Sequence, residues 1–339
     1  MQRRKPISEA NKRDSSELAL LRTIRVRAAG FATSRVRLGI GDDCALLRPR
    51  AGEELAVTTD LSIEGRHFRL EWHPAESVGH RTLARGLSDL AAMGAKPVAA
   101  FLSLGLPRSL TAASGGERAW VDRFLDGLLA LAREHKVPLA GGDLAESPVA
   151  VADIVLTGAV PQGKALLRSG AKPGDFLYVT GSLGGAAAEL AALAASPEAY
   201  AAATTAVSEH PHLFPQPRIA QGLWLRKRGL ASAAMDLSDG LSTDLAHLCA
   251  ESDVAAEVDA AALPLGKGAT LAMALHGGED YELLFTAPVA AKLPRAVAGV
   301  PITAIGRILK ARKNQPRVLL LTEEGSGPLE PQGWEHFSG

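Results

Sequence analysis

Apolar positions along the chain fall into blocks of helical and of strand-like spacing. Residues 17–29 (ELALLRTIRVRAA) set Leu18, Leu21 and Ile24 at helical intervals and predict a short amphipathic helix. Residues 54–61 (ELAVTTDL) predict a strand that ends in polar residues. Residues 76–93 carry Val78, Leu83, Leu87 and Leu90 with Gly94 as a stop, the pattern of a helix. Strand-like runs follow at 98–106, 137–141 and 150–160, with a helix at about 117–135 between the first two. The first half therefore reads β-α-β-α-β-β. Residues 161–175 (PQGKALLRSGAKPGD) mix proline and glycine with basic residues and mark a domain boundary. Beyond it come a strand at 176–181, an Ala-rich helix from about 185 and a Pro-rich loop at 210–217. A helix from about 241 and strands near 281–286, 301–308 and 317–322 complete the chain. No tandem repeat of fixed period is visible. The expectation is a mixed α/β (α+β) protein of two domains, 17–160 and 161–339, behind a loose arm at 1–16.

Composition narrows the class. The 339 residues suit two domains, and 47% hydrophobic with 22% charged residues suits a protein with a real core. Lys+Arg and Asp+Glu are both 37, so the formal net charge is +0, and the sequence pI is about 7.1. Such balance argues against a nucleic-acid partner and against a polybasic membrane binder. Charges such as Asp153 and Glu189 interrupt the apolar stretches well short of the ~18 residues a membrane span needs. The basic start is not followed by a signal-peptide core, and Cys44 and Cys249 stand far apart with no CxxC pair. A cytoplasmic protein is expected.

What neutrality hides is where each sign sits. Aspartates recur beside Gly, Ser or Thr at element ends: GIGDD (39–43), TTD (58–60), LSD (87–89), GGD (141–143), DLSDG (236–240) and GGED (277–280). Taken singly, each is better read as a turn or N-cap, because a short carboxylate bonds nearby backbone N–H groups. Asp89 has Arg85 one turn away as a simple partner, and Ser238 or Asp239 would cap the helix that follows. Taken together the balance shifts. One cap needs one residue, and two carboxylates as close as Asp236 and Asp239 repel unless a cation lies between them. Mg²⁺ takes such oxygen donors together with substrate phosphates. TGSLGG (180–185) could cradle a phosphate but reads better as a tight turn; it lacks the Walker A spacing. No Ser-His-Asp, Cys-His or zinc arrangement is indicated.

The ordered set GIGDDCALL (39–47), TTDLSIEGRHF (58–68), LSDLAAMGAKP (88–97), GGD (141–143), RSGAKPGD (168–175), MDLSDGLSTDL (235–245) and GGEDYEL (277–283) resembles the thiamine-monophosphate kinase family of the aminoimidazole ribonucleotide synthetase-like superfamily. The resemblance runs from about residue 17 to the end. It implies two α/β domains, the first dimerising through its sheet into a homodimer and the second covering the nucleotide. It further implies that Asp43, Thr58, Thr59, Asp60, Asp89, Asp143, Asp236 and Asp239 are ligands of several Mg²⁺ ions. Gly142, Arg168 and Ser238 match ATP contacts, and His67, Glu279 and Trp334 match the thiamine phosphate site. Two departures stand out: Leu144, Ala145 and Glu146 replace a usual Thr and basic residue, and Arg66 replaces a small apolar one. The implied reaction is ATP plus thiamine monophosphate giving ADP plus thiamine diphosphate. The acceptor phosphate, with a second pKa of about 6, is mostly ionised already, so no catalytic general base is expected. The rivals are a sister ATP-using enzyme and a non-catalytic nucleotide- or metal-binding regulator. Against the sisters, the first Cys is Cys44 inside GDD, and the chain ends HFSG without a Cys.

Overall fold

A computed structural model describes residues 17–29, 33–41, 44–113, 118–203 and 210–334. Helix α1 (Glu17–Ala29) precedes an antiparallel ribbon of β1 (Val36–Leu38) and β2 (Leu46–Leu47). Next come β3 (Glu53–Ile63), α2 (Ala75–Ala92), β4 (Lys96–Leu106), α3 (Trp120–Glu134), β5 (Leu139–Glu146) and β6 (Val151–Pro161). These strands form one sheet in the order β3-β6-β4-β5. β3 and β6 pair antiparallel along their whole length, from Glu53 opposite Pro161 to Ile63 opposite Val151. β5 lies parallel to β4, as a strand reached through a helical crossover must. The expected order β-α-β-α-β-β holds from β3 onward.

The second half contains β7 (Phe176–Thr180), α4 (Gly185–Ala195), α5 (Ile219–Arg228), β8 (Ala233–Asp236), α6 (Leu241–Ser252), β9 (Val254–Asp259), α7 (Leu271–His276), β10 (Leu283–Ala287), β11 (Ala296–Val297), β12 (Val300–Lys310), β13 (Val318–Thr322) and β14 (Gly325–Pro328). The sheet path is β14-β13-β9-β12-β7-β10-β8, with β11 paired to β12. Only the β13–β9 pair is parallel among these ladders.

Helix α2 ties the halves together. Val78, Leu83, Leu87 and Leu90, the apolar positions of its sequence pattern, are at most 2% exposed. They share one core with α3, β4 and β6, and that core continues through Ile219 and Leu225 of α5, Ala234 of β8, and Leu283 and Phe285 of β10. A helix buried on nearly every side is thus wedged between the two sheets. Its C-terminal turn, carrying Ser88 and Asp89, meets the end of β8, which carries Asp236. No helix among the described residues is long and apolar enough to cross a membrane.

Candidate active site

Strand alternation decides which β3 residues reach α2. Thr58, Asp60 and Ser62 share the face toward the helix, while Thr59 is exposed on the other face and brings no side chain to the junction. Thr58 Oγ1 donates to Asp89 Oδ2. Ser88 Oγ donates to Asp236 Oδ2 at 2.6 Å. Arg85 does not pair with Asp89; its Nε lies 3.9 Å from Asp60 Oδ1, and its Nη1 donates to the Ser62 hydroxyl at 3.1 Å. Burial pushes the Asp60 carboxyl up, and the neighbouring Asp89 charge adds to it. Burial and Asp89 likewise push up Asp236, and burial raises Asp89 against the pull of Thr58 and Arg168. The buried Asp60 Oδ2 has no hydrogen-bond partner. Three carboxylates that crowd one another, with an unpartnered oxygen among them, fit a divalent cation. Among the described residues, no three His, Cys, Asp or Glu side chains are grouped to hold a metal by themselves. A cation here would have to complete its shell with water and phosphate oxygens. Asp43 lies outside the described residues.

The DLSDG turn is built differently from its expected cap. Helix α6 starts at Gly240, whose φ of 107° requires glycine, and neither Ser238 nor Asp239 caps it. Instead Asp244 Oδ2, one turn inside the helix, accepts from the backbone N–H groups of Ser238, Asp239 and Gly240, each at 3.1 Å. Burial, with Asp236 and Asp239 nearby, pushes the Asp244 carboxyl up to about 8. Its place in the first helical turn was the available sequence signal. The facing GGED turn is zipped to this one: Glu279 N–H donates to Ser238 O at 2.8 Å and Tyr281 N–H to Leu237 O at 2.9 Å. The TGSLGG turn is no phosphate cradle, because Asp280 accepts from Gly184 N–H at 2.6 Å and Ala186 N–H at 3.1 Å. A carboxylate already fills the N-terminus of α4.

Two cavities result. One of about 440 Å³ is lined by Asp60, Asp89, Asp236, Ser238 and Asp239 together with His67, Phe68, Trp72, Glu279, Tyr281 and Trp334. His67 Nδ1 accepts from Ile63 N–H at 3.1 Å. The backbone N–H of Trp334 donates to Asp239 O at 3.0 Å. Burial alone would raise the Glu279 carboxyl, but Arg81, His212 and Arg85 hold it well below the usual range. The other cavity, about 780 Å³, is lined by Arg22 and Arg25 of α1, Gly41, Cys44, Phe101, Gly142, Asp143 and Leu144. GGD lies within β5 and not in a turn. Gly142 has φ 147°, and a Cβ there would meet Leu102 O at 1.8 Å, so the backbone approaches β4 as only glycine permits. Asp143 therefore lines a different cavity from Asp60, Asp89, Asp236 and Asp239. Arg168 is exposed, and its charge favours the ionised forms of Asp89 and Asp236.

Two family models match in tandem: the N-terminal domain of AIR synthase related protein over residues 41–163 and its C-terminal domain over residues 172–318. Thiamine-monophosphate kinase of Escherichia coli (strain K12) is 40% identical over 316 residues, covering 89% of this chain and 93% of that protein. The chain belongs to the thiamine-monophosphate kinase family. The structure of thiamine-monophosphate kinase from Stenotrophomonas maltophilia K279a is 40% identical, covers 90% of this chain and 96% of that one, and superposes with a TM-score of 0.74. AaThiL complexed with AMPPCP and TMP is 30% identical, covers 98% and 100%, and gives a TM-score of 0.71. The departures from the family pattern have places in this framework. Glu146 pairs with Arg108 on the surface at 2.8 Å, Leu144 lines the larger cavity, and Arg66 stands at the smaller one beside His67.

Proposed function

We propose that this chain transfers the terminal phosphoryl group of ATP to thiamine monophosphate, giving ADP and thiamine diphosphate. The observation that carries the reading is the junction cavity, whose one lining combines crowded carboxylates and a serine with aromatic rings and the Glu279 carboxylate. An aromatic wall with a carboxylate suits a flat cationic ring, by stacking and by charge. Asp60, Asp89, Asp236 and Asp239 lie where two phosphate groups would meet. Mg²⁺ ions held there, with Thr58 and Asp43 as further ligands, would neutralise the charge of both phosphates. Of the other expected ligands, the Thr59 side chain lies on the far face of β3 and Asp143 lines the other cavity, so neither belongs to this group. Family membership supports Gly142, Arg168 and Ser238 as ATP contacts. The acceptor oxygen is already ionised, so the residues position and desolvate and no side chain takes a proton from it.

Residues 17–160 and 161–339 are the two working domains in this reading. Two copies pair through the open face of the first sheet, where Leu55, Val57 and Leu61 are exposed. The substrates, and the two cysteines left as thiols, support a cytoplasmic enzyme. The test is ADP release against added thiamine monophosphate at saturating Mg²⁺. Wild type requires the acceptor, and Asp89→Asn, Asp236→Asn and Asp43→Asn each lose activity on the order of a hundredfold. Near-normal turnover in all three sinks the metal assignment. ADP release indifferent to thiamine monophosphate sinks the kinase reading and favours a sister enzyme.

A further inference from the structure

Glu279 is joined to a line of buried polar side chains drawn from α2 with the turn before it and from the 210–217 segment; two of them, His73 and His212, also border the cavity. Arg81 of α2 donates from Nη2 to both carboxylate oxygens of Glu279, at 2.6 and 2.7 Å, and its Nη1 lies 3.2 Å from His212 Nε2. His212 Nδ1 stands 3.2 Å from Glu279 Oε2, a close electrostatic contact without hydrogen-bond geometry. His73 Nε2 is 3.0 Å from His212 Nε2, and His73 Nδ1 is 3.2 Å from Arg69 N and 3.1 Å from Arg69 O. Arg81, His73 and His212 are 5%, 4% and 2% exposed.

The partners dictate the proton positions. A carboxylate beside Nδ1 and a guanidinium beside Nε2 make His212 the Nδ1–H tautomer, with a lone pair on Nε2. That lone pair receives Arg81 Nη1–H, and a second lone pair 3.0 Å away on His73 Nε2 would repel it, so His73 carries its proton on Nε2. His73 Nδ1 is then free to accept from Arg69 N–H. Both rings are neutral, in keeping with their burial and with the adjacent Arg81 charge, which lower both. The backbone adds a second sign. Glu279 has φ 67°, a left-handed conformation that a non-glycine residue keeps only where its surroundings over-determine it.

We infer that Arg81, His212 and His73 are positioning residues that hold the Glu279 carboxylate in the cavity it lines with Phe68, Trp72 and Trp334, so that the site selects a phosphate ester with a positively charged ring. Each link leads to the next: Arg69 backbone to His73, His73 to His212, His212 and Arg81 to Glu279. Loosening the outermost link lets Glu279 move and weakens the ring's hold; His73 and His212 border the same cavity, so comparing a charged with an uncharged ligand separates this from a direct contact. The inference rests on the proposed thiamine monophosphate kinase activity, which wild-type turnover tests first.

The experiment replaces His73 in two ways. His73→Asn keeps an acceptor near the Nδ1 position and removes the donor to His212; His73→Gln keeps a donor near the Nε2 position. His73→Asn is expected to raise KM for thiamine monophosphate on the order of tenfold, with kcat and KM for ATP within about twofold, and His73→Gln to return KM toward wild type. Binding of a phosphorylated thiazole that lacks the quaternary nitrogen, measured by calorimetry, stays the same in wild type and His73→Asn. Should His73→Asn not fold, His212→Asn, which keeps a donor beside Glu279 and loses the Nε2 acceptor, shows the same KM split. An unchanged KM in a folded variant overturns the inference. So does an equal loss for the charged and the uncharged ligand, which marks a merely structural role. If wild type does not phosphorylate thiamine monophosphate, the functional reading fails instead.

Discussion

His80 shows how one buried ring sets a pH dependence. It lies on α2 at 2% exposure, edge-on to Phe214, and its Nε2 is 2.7 Å from Pro215 O, which makes Nε2 the donor of a neutral imidazole. Burial pulls its pKa down to about 4, and that of His73 down to about 3. In the unfolded chain both titrate near about 6.5. Below that pH the unfolded state takes up protons that the folded state refuses. Their contribution is therefore complete above about pH 6.5 and is lost as pH falls toward 4, at about 1.4 kcal/mol per pH unit for each proton. The raised Asp60, Asp236 and Asp244 carboxyls act in the opposite direction over the same range, so the test is the difference between two curves. In urea midpoints measured from about pH 7 to about pH 4.5, His80→Gln, which keeps the donor to Pro215, should lose less stability than wild type by about one proton's slope. Parallel wild-type and variant curves would show that His80 takes no part. At this scale the sequence told less about the site than about its ligands. The aspartate motifs pointed to Asp60, Asp89, Asp236 and Asp239, because short carboxylates between small residues leave a local mark. Arg81, His73 and His212 left none. Arg81 and His212 are 131 residues apart, and only the packing of the 210–217 segment on α2 brings them together.

Helices α2 and α5 show how an element turns sequence into a junction. Gly222 of α5 sits so close to α2 that a Cβ would meet Ala91 O at 1.9 Å, and Gly127 of α3 faces Glu76 O at 1.8 Å in the same way. Both glycines carry ordinary helical backbone, so close approach, not conformational freedom, is what they provide. Gly222→Ala should destabilise by about 1–3 kcal/mol, since a methyl group forced against a carbonyl must part the helices. It should also lower turnover, because α5 supports the turn of α2 that carries Ser88 and Asp89. A thermal melt with a parallel kinase assay checks this; a stable variant that loses no activity refutes the coupling. Legibility at this scale followed burial. α2, β3, β4 and β6 were readable because their apolar positions repeat over many residues. β8 (Ala233–Asp236) and β9 (Val254–Asp259) were not, because short strands covered on both sides show little alternation. α5 was hidden because its buried face uses Gly222 and Gln221 beside Ile219 and Leu225 in place of a plain apolar stripe.

At the scale of the whole molecule, neutrality resolves into separation of sign and of polarity. Carboxylate gathers at the junction of the two sheets, and apolar surface gathers on the far side of the first sheet. There β3 is an edge strand of 11 residues, and its outward side chains Leu55, Val57 and Leu61 are 44%, 62% and 47% exposed. Val155 of β6 and Phe101 of β4 lie on the same face, and the β1–β2 ribbon covers only the part around Ala99, Ala140 and Ala159. A long, flat, apolar edge left open invites pairing with another chain, and a second copy meeting it by two-fold symmetry satisfies both at once. Phe101 also lines the larger cavity together with Gly142, an expected ATP contact, so a partner sheet on this face would border that cavity. Sedimentation should therefore give a dimer at micromolar concentration. Val57→Asp should give a monomer whose melting temperature in dilute solution changes little, since the side chain is solvent-facing within the subunit. If the cavity by Phe101 depends on the partner, the monomer should also show a higher KM for ATP, with KM for thiamine monophosphate less affected. A wild-type monomer would leave the apolar face without its proposed cover, and a dimeric Val57→Asp would move the interface elsewhere on the surface.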